Sequence, residues 1–247
     1  MNIKNNYINM KTWKFIFFIA CCSLLFSCKK ENNIAVFEKK LNEFDTLVLN
    51  DVFEVHLLQG DKNSIRMEGY EKILNNIQLD IQSNTLSIEN NFSMGWIYPR
   101  KNKVKLFITY DTLSLIVANE TCQIISENTL HANEFGLIMK SKLNHAKLDV
   151  DCNSFYYWNN FPCGGIIELS GQTKDLKLWN VALMSIDAKN LNCQEVKIEN
   201  ASKGNISVNC SNILTYSITG EGNIYLFGNP PNVYAETLTG NGKLIPQ

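Results

Sequence analysis

An all-β chain wound as a parallel β-helix is the fold this sequence predicts, and three observations predict it. Between Leu113 and Gly242 apolar residues return in phase about every twenty positions, before Tyr110 they alternate with polar ones in short runs, and Gly-X-Gly pairs recur at Gly220 and Gly222 and at Gly240 and Gly242. Period-two alternation marks strands, and self-similarity at a fixed period marks a repeat architecture. About seven turns of roughly twenty residues are expected over 113–247, preceded by a β-rich region over 34–112 that continues the stack. With 45% hydrophobic and 19% charged residues in 247, the chain has enough apolar side chains to bury a core.

The first segment, 1–27, reads as a secretory signal. Lys4, Lys11 and Lys14 precede the apolar run Phe15 to Phe26, which ends at Ser27 and Cys28 and is too short to span a bilayer comfortably. Leu25-Phe-Ser-Cys28 resembles the bacterial lipobox, which implies that Cys28 is acylated, that 28–33 is a polar tether, and that the protein is held at the outer membrane of the cell envelope. Subtracting the three leader lysines from the chain's net charge of −1 leaves −4 after Ser27, so nothing basic remains to hold nucleic acid.

In the β-rich region the alternating pairs are Leu47 and Leu49, Val55 and Leu57, Ile65 and Met67, Leu79 and Ile81, Leu86 and Ile88, and Leu106 and Ile108. Breaks at Asn50-Asp51, Gly60-Asp61, Ser83-Asn84 and Asn90-Asn91 separate them. Only Tyr70 to Ile77 has room for a helical turn or two. Asn91 to Arg100, with Gly95 and Pro99, reads as a loop carrying Trp96 and Tyr98.

Within the repeats, side chains alternate faces, so equivalent positions form rows. Two rows read as inward: Leu115, Phe135, Phe155, Leu176, Val196 and Tyr216, then Val117, Leu137, Tyr157, Leu178, Ile198, Ile218 and Leu238. Asn119, Met139, Asn159, Asn180, Asn200, Gly220 and Gly240 follow at the corner, where asparagine and glycine tolerate left-handed angles and small residues let bends approach. A propeller blade would need about twice this repeat length. An antiparallel sandwich suits the alternation but not corner chemistry repeated every twenty or so residues.

Gly220-Glu-Gly222-Asn-Ile224-Tyr-Leu-Phe-Gly228-Asn-Pro230, with Gly240-Asn-Gly242 behind it, resembles the closing motif of the GIN domain family, the autotransporter-adhesin head domains of bacterial envelope proteins. The resemblance covers most of the chain from Phe44 onward and implies a β-helical fold, a lipoprotein of the Bacteroidetes type and no catalytic activity. It marks Gly220, Gly222, Gly228, Gly240 and Gly242 as structural turn residues. Met139 and Phe161 depart from the family's small corner residues.

Chemistry-bearing residues are sparse. Five cysteines follow Cys28, at 122, 152, 163, 193 and 210. Cys152 and Cys193 fall in an inward row, and Cys163 in another with Leu143, Met184, Gly204, Ile224 and Leu244, so buried thiols are expected, with Cys152 to Cys163 the one pair to test as a disulfide. His131, Asp151, Gln172, Asn192 and Asn212 form a polar row with too few ligands for a metal site. No arginine follows Arg100, which weighs against a polysaccharide-cleaving β-helix enzyme, and no cofactor or nucleotide motif is present. Two outward rows remain: Ile116, Gly136, Tyr156, Lys177 and Lys197, and Ala118, Ile138, Trp158, Trp179 and Glu199. Ile138, Tyr156, Trp158 and Trp179 form a patch pointing away from the core, a candidate binding face for glycan or an envelope protein. The expected function is therefore non-catalytic, adhesin-like recognition, with a purely structural envelope component as the alternative beside the enzyme.

Overall fold

The apolar alternation becomes strand almost everywhere in the computed structural model, which describes residues 33–92 and 103–247. The leader, Cys28, nearly all of the tether and the loop with Trp96 and Tyr98 lie outside the described residues. Strands β1 (Ile34–Lys40), β2 (Thr46–Leu49), β3 (Phe53–Gln59) and β4 (Ser64–Tyr70) lead into a single helical turn, α1 (Glu71–Leu74). Then come β5 (Ile77–Gln82), β6 (Thr85–Asn90), β7 (Val104–Tyr110), β8 (Leu115–Ala118), β9 (Cys122–Ser126), β10 (Leu130–Met139) and β11 (Asn144–Trp158). The chain closes with β12 (Gly164–Ser202), β13 (Ile206–Ile218), β14 (Ile224–Phe227), β15 (Asn232–Leu238) and β16 (Leu244–Pro246).

Two sheet faces stack in parallel. One runs β5, β6, β2, β8, β10 and the other β1, β4, β7, β3, β9, and both meet β11, whose fifteen residues bend from one face to the other. Pairing of β2 with β8, and of β3 with β7 and β9, is parallel, so the β-rich first region is part of the same stack. Its outer end is closed by antiparallel pairs, β1 with β4 and β5 with β6; the latter turn at Ser83 and Asn84, whose φ of 48° and 61° are the left-handed angles a tight hairpin requires. Such an end blocks further parallel stacking, as terminal repeats of solenoids must.

The stack amounts to about six turns.

Coil length is less regular than the sequence spacing implies. Gly136 pairs with Leu115 and Leu137 with Ile116, an interval of twenty-one. This odd step exchanges the faces of β8: Ile116 and Ala118 are fully buried, whereas Leu115 and Val117, expected inside, are half-buried. Later, Ile198 pairs with Tyr216 and Asn200 with Ile218, an interval of eighteen, and Ile206 pairs with Ile224 likewise. An even slip keeps every side chain on its face, so Leu178, Ile198 and Ile218 are all buried as the rows predict. Leu238 is 59% exposed, because among the described residues β15 pairs on one side only, with β13.

The corner is held by a ladder of amides. Asn180 Nδ2 donates to the Met184 carbonyl at 2.9 Å, Asn200 Nδ2 to the Gly222 carbonyl at 3.0 Å, and Asn119 Nδ2 to Asn50 Oδ1 at 2.6 Å. Gly220, Gly222, Gly240 and Gly242 continue this corner without left-handed angles; Gly228 alone of the five turn glycines has one, φ 86°. What the four require is closeness: a Cβ on Gly222 would lie 1.9 Å from the Gly204 carbonyl oxygen, and one on Gly242 2.2 Å from that of Gly222.

Candidate functional site

Tyr157 and Leu178 are buried, so their neighbours on β11 and β12 emerge on the outer face. There Trp158 pairs with Trp179 and Tyr156 with Lys177 on adjacent parallel strands. Trp158 is 37% exposed, while Ile138, Tyr156 and Trp179 are half-buried. Leu137 pairs with Tyr157, which brings Ile138 to the outer side next to Trp158. The Tyr156 ring folds over Gly136, where a Cβ would stand 2.2 Å from Tyr156 Cζ, so this glycine is the seat of the ring. Burial, and then Glu134, push the Tyr156 phenol above its ordinary pKa, so it serves as a neutral donor and acceptor.

The strip is longer than its four sequence-read members. Phe161 meets Trp158 edge to face at 6.1 Å, and Lys140 Nζ lies 5.1 Å from the Phe161 centroid. Around the corner Leu143 (75% exposed), Leu183 (61%) and Ile166 (51%) extend the apolar surface. Backbone bonds from Gly164 N to Ser141 O and from Leu183 N to Cys163 O stack these corners, and a Cβ on Gly164 would touch Leu183 Cβ at 3.2 Å. Leu143 was expected inward. Instead Asn144 takes the buried place, donating to the Ser141 carbonyl at 2.6 Å and accepting from Cys122 N at 3.2 Å, which turns Leu143 to solvent. The departure of Phe161 from small corner residues was the signal for this extension. Ile116 and Ala118, placed in the outward rows by the spacing, belong to the core and take no part.

The remaining candidates are quieter. All five cysteines of the described region are free and buried; Cys152 and Cys163 are unpaired. Burial raises every thiol, that of Cys122 to about 12, leaving no reactive thiolate. Cys163 accepts from Asn159 Nδ2 beside the Tyr157 hydroxyl, a satisfied buried cluster. In the polar row His131 Nδ1 stands 3.4 Å from Asp151 Oδ2, and Gln172 Nε2 donates to Asp151 Oδ1 at 3.0 Å. The row then continues through Asn192 and Asn209 rather than Asn212, again because of the shorter coil. Among the described residues no group of three His, Cys, Asp or Glu side chains converges as metal ligands, and no helix is long and apolar enough to cross a membrane.

A β-solenoid with a cap at one end, stacked amide corners and an apolar strip on its outer face defines a repeat protein of the β-solenoid class. The chain belongs to the family described as "Putative auto-transporter adhesin, head GIN domain", whose model matches residues 43–230. Membership places it with adhesin heads of the cell surface. It is similar in fold to a solved putative adhesin from Bacteroides fragilis NCTC 9343 (TM-score 0.77, 19% identity, covering 88% of this chain and 98% of that one). A putative adhesin from Parabacteroides merdae ATCC 43184 (TM-score 0.61, 14% identity, 88% and 97% covered) shares the fold. So does a putative lipid binding protein from Parabacteroides distasonis ATCC 8503 (TM-score 0.63, 15% identity, 88% and 98% covered). No curated protein matches the chain.

Proposed function

We propose that the protein is a lipid-anchored, non-catalytic envelope adhesin that holds a protein partner through the outer strip of β10, β11 and β12. The observation that carries this reading is the run from Tyr156 and Trp158 through Phe161 to Leu143, Leu183 and Ile166, aromatic at its centre and aliphatic at its corner. Sugar rings stack on aromatic faces but gain little from an aliphatic rim, whereas protein interfaces use both, with tryptophan and tyrosine as anchors. Lys140, Lys177 and Glu199 supply a charged border.

The test is a binding screen of the soluble fragment beginning after Cys28 against envelope proteins and glycans, repeated with Trp158→Ala and Trp179→Ala. Weakened protein binding with a nearly unchanged melting temperature supports the reading. Destabilisation by several kcal/mol in both variants would show the indoles to be packing surface. The anchor is tested separately: Cys28→Ser should release the protein from membranes, and retention after a carbonate wash sinks the lipoprotein assignment.

A further inference from the structure

We infer that the outer face of β1, β4, β7 and β3 is a second binding site, built for a carboxylate-bearing saccharide. An open cleft of about 840 Å³ lies there, away from the aromatic strip and within the size range of small-ligand sites. Two cross-strand rows form it: Lys40, Ser64, Thr109 and Leu58, then Glu38, Arg66, Phe107 and His56.

The second row is a preorganised wall. His56 stacks on Phe107 at 4.7 Å and 16°, and the Arg66 guanidinium lies over the same ring at 3.9 Å. His56 is itself fixed between Glu127 and Glu54, and Glu54 also accepts from Lys105 at 2.6 Å. Arg66 is further held by Glu68, which occupies only part of its five-donor fork. A guanidinium oriented in advance, with donors still free and 38% of the side chain exposed, is suited to a bidentate carboxylate.

The first row is a floor of small hydroxyls. Among the described residues neither Ser64 Oγ nor Thr109 Oγ1 has a hydrogen-bond partner, so both are open to sugar hydroxyls. Lys39, Lys40 and Lys62 line the rim and, among the described residues, have no carboxylate within ion-pair distance; against them stand Glu38 and the His56-bound Glu127. The unpaired balance is positive, on a chain whose net charge is negative. Since both faces of Phe107 are covered, recognition here is by charge and hydroxyls rather than ring stacking, which separates this site from the tryptophan strip.

The experiment titrates trigalacturonate, its methyl ester and acetate into the soluble fragment by calorimetry, with Arg66→Lys, Lys40→Glu/Lys62→Glu and Trp158→Ala/Trp179→Ala variants alongside. The acid trimer should bind, while the methyl ester and acetate bind at least tenfold more weakly. Each surface ion contact is worth up to about fivefold, so the double charge reversal should lower affinity tenfold or more; Arg66→Lys should do so despite keeping its charge. The tryptophan variants should bind the trimer normally. Equal binding of the ester, or of acetate, overturns the proposal. So does indifference to the lysine reversal, which would leave those lysines as guards of the exposed edge β1. Loss of binding only in the tryptophan variants would overturn it too, by moving the saccharide to the strip.

Discussion

Asn200→Ala removes the central amide of the corner ladder. The side chain is 1% exposed, its Nδ2 donates to the Gly222 carbonyl at 3.0 Å, and its Oδ1 accepts from Ser202 N at 3.2 Å and, more weakly, from Asn180 Nδ2 at 3.4 Å. Removing one partner of a buried hydrogen bond exposes the other to its desolvation cost, about 1–3 kcal/mol per group. Two well-formed bonds are lost, and the third counts for little because Asn180 Nδ2 keeps the Met184 carbonyl. The expected loss is therefore about 2–6 kcal/mol, a large share of the roughly 5–15 kcal/mol that holds a domain folded. Urea denaturation followed by tryptophan fluorescence and circular dichroism measures it, read as a shift in midpoint at constant slope. Asn223→Ala is the matched control: Asn223 Oδ1 accepts from Lys243 N at 2.9 Å in the same style of corner contact, but exposed to water, so its loss should stay below about 1 kcal/mol. If the two variants lose similar amounts, or Asn200→Ala loses less than about 1 kcal/mol, buried amides do not hold the corners and the ladder is a by-product of the fold.

Three further outcomes are expected. Ile116→Ala should cost about 2–5 kcal/mol as a core truncation, and Leu115→Ala clearly less; the opposite order in chemical denaturation would restore the uniform twenty-residue register. The thiols of Cys122 and Cys193 should resist a disulfide reagent in the native protein and react on unfolding, because burial holds both well above the ordinary thiol pKa; prompt native labelling would refute their burial. Glu54 should titrate below the usual carboxylate range, chiefly through its bond from Lys105, with burial opposing and His56 assisting. A lowered folded-state pKa gives stabilisation that is full above the unfolded value, near 4.3, and is lost as pH falls through the folded one. Lys105→Met should therefore raise the Glu54 pKa in a carboxylate-detected NMR titration and weaken the acid-side dependence of stability; an unmoved pKa removes Lys105 as the cause.

What the sequence determined was which side of each strand faces inward over most of the chain. Side-chain alternation is a local property of extended backbone, so Tyr157 and Leu178 settle where Trp158 and Trp179 must go without any knowledge of the neighbouring coil. The single-turn helix α1 and the close-packed glycine corners were legible for the same reason: each is written in adjacent residues or in a fixed period. Coil length was not. Burial constrains only the parity of a register, so the eighteen-residue step from Ile198 to Tyr216 left no trace in the hydrophobic pattern, while the twenty-one-residue step into β8 inverted Leu115 and Ile116. The tertiary structure alone turned Leu143 outward, through the buried amide of Asn144, and joined it to Phe161 and Leu183 as one surface. It alone brought Arg66, Phe107 and His56 into one row as well. Those three residues come from different strands, one of them antiparallel to its neighbour, and strand pairing over such separations is decided by the closure of the whole stack rather than by anything local in the chain.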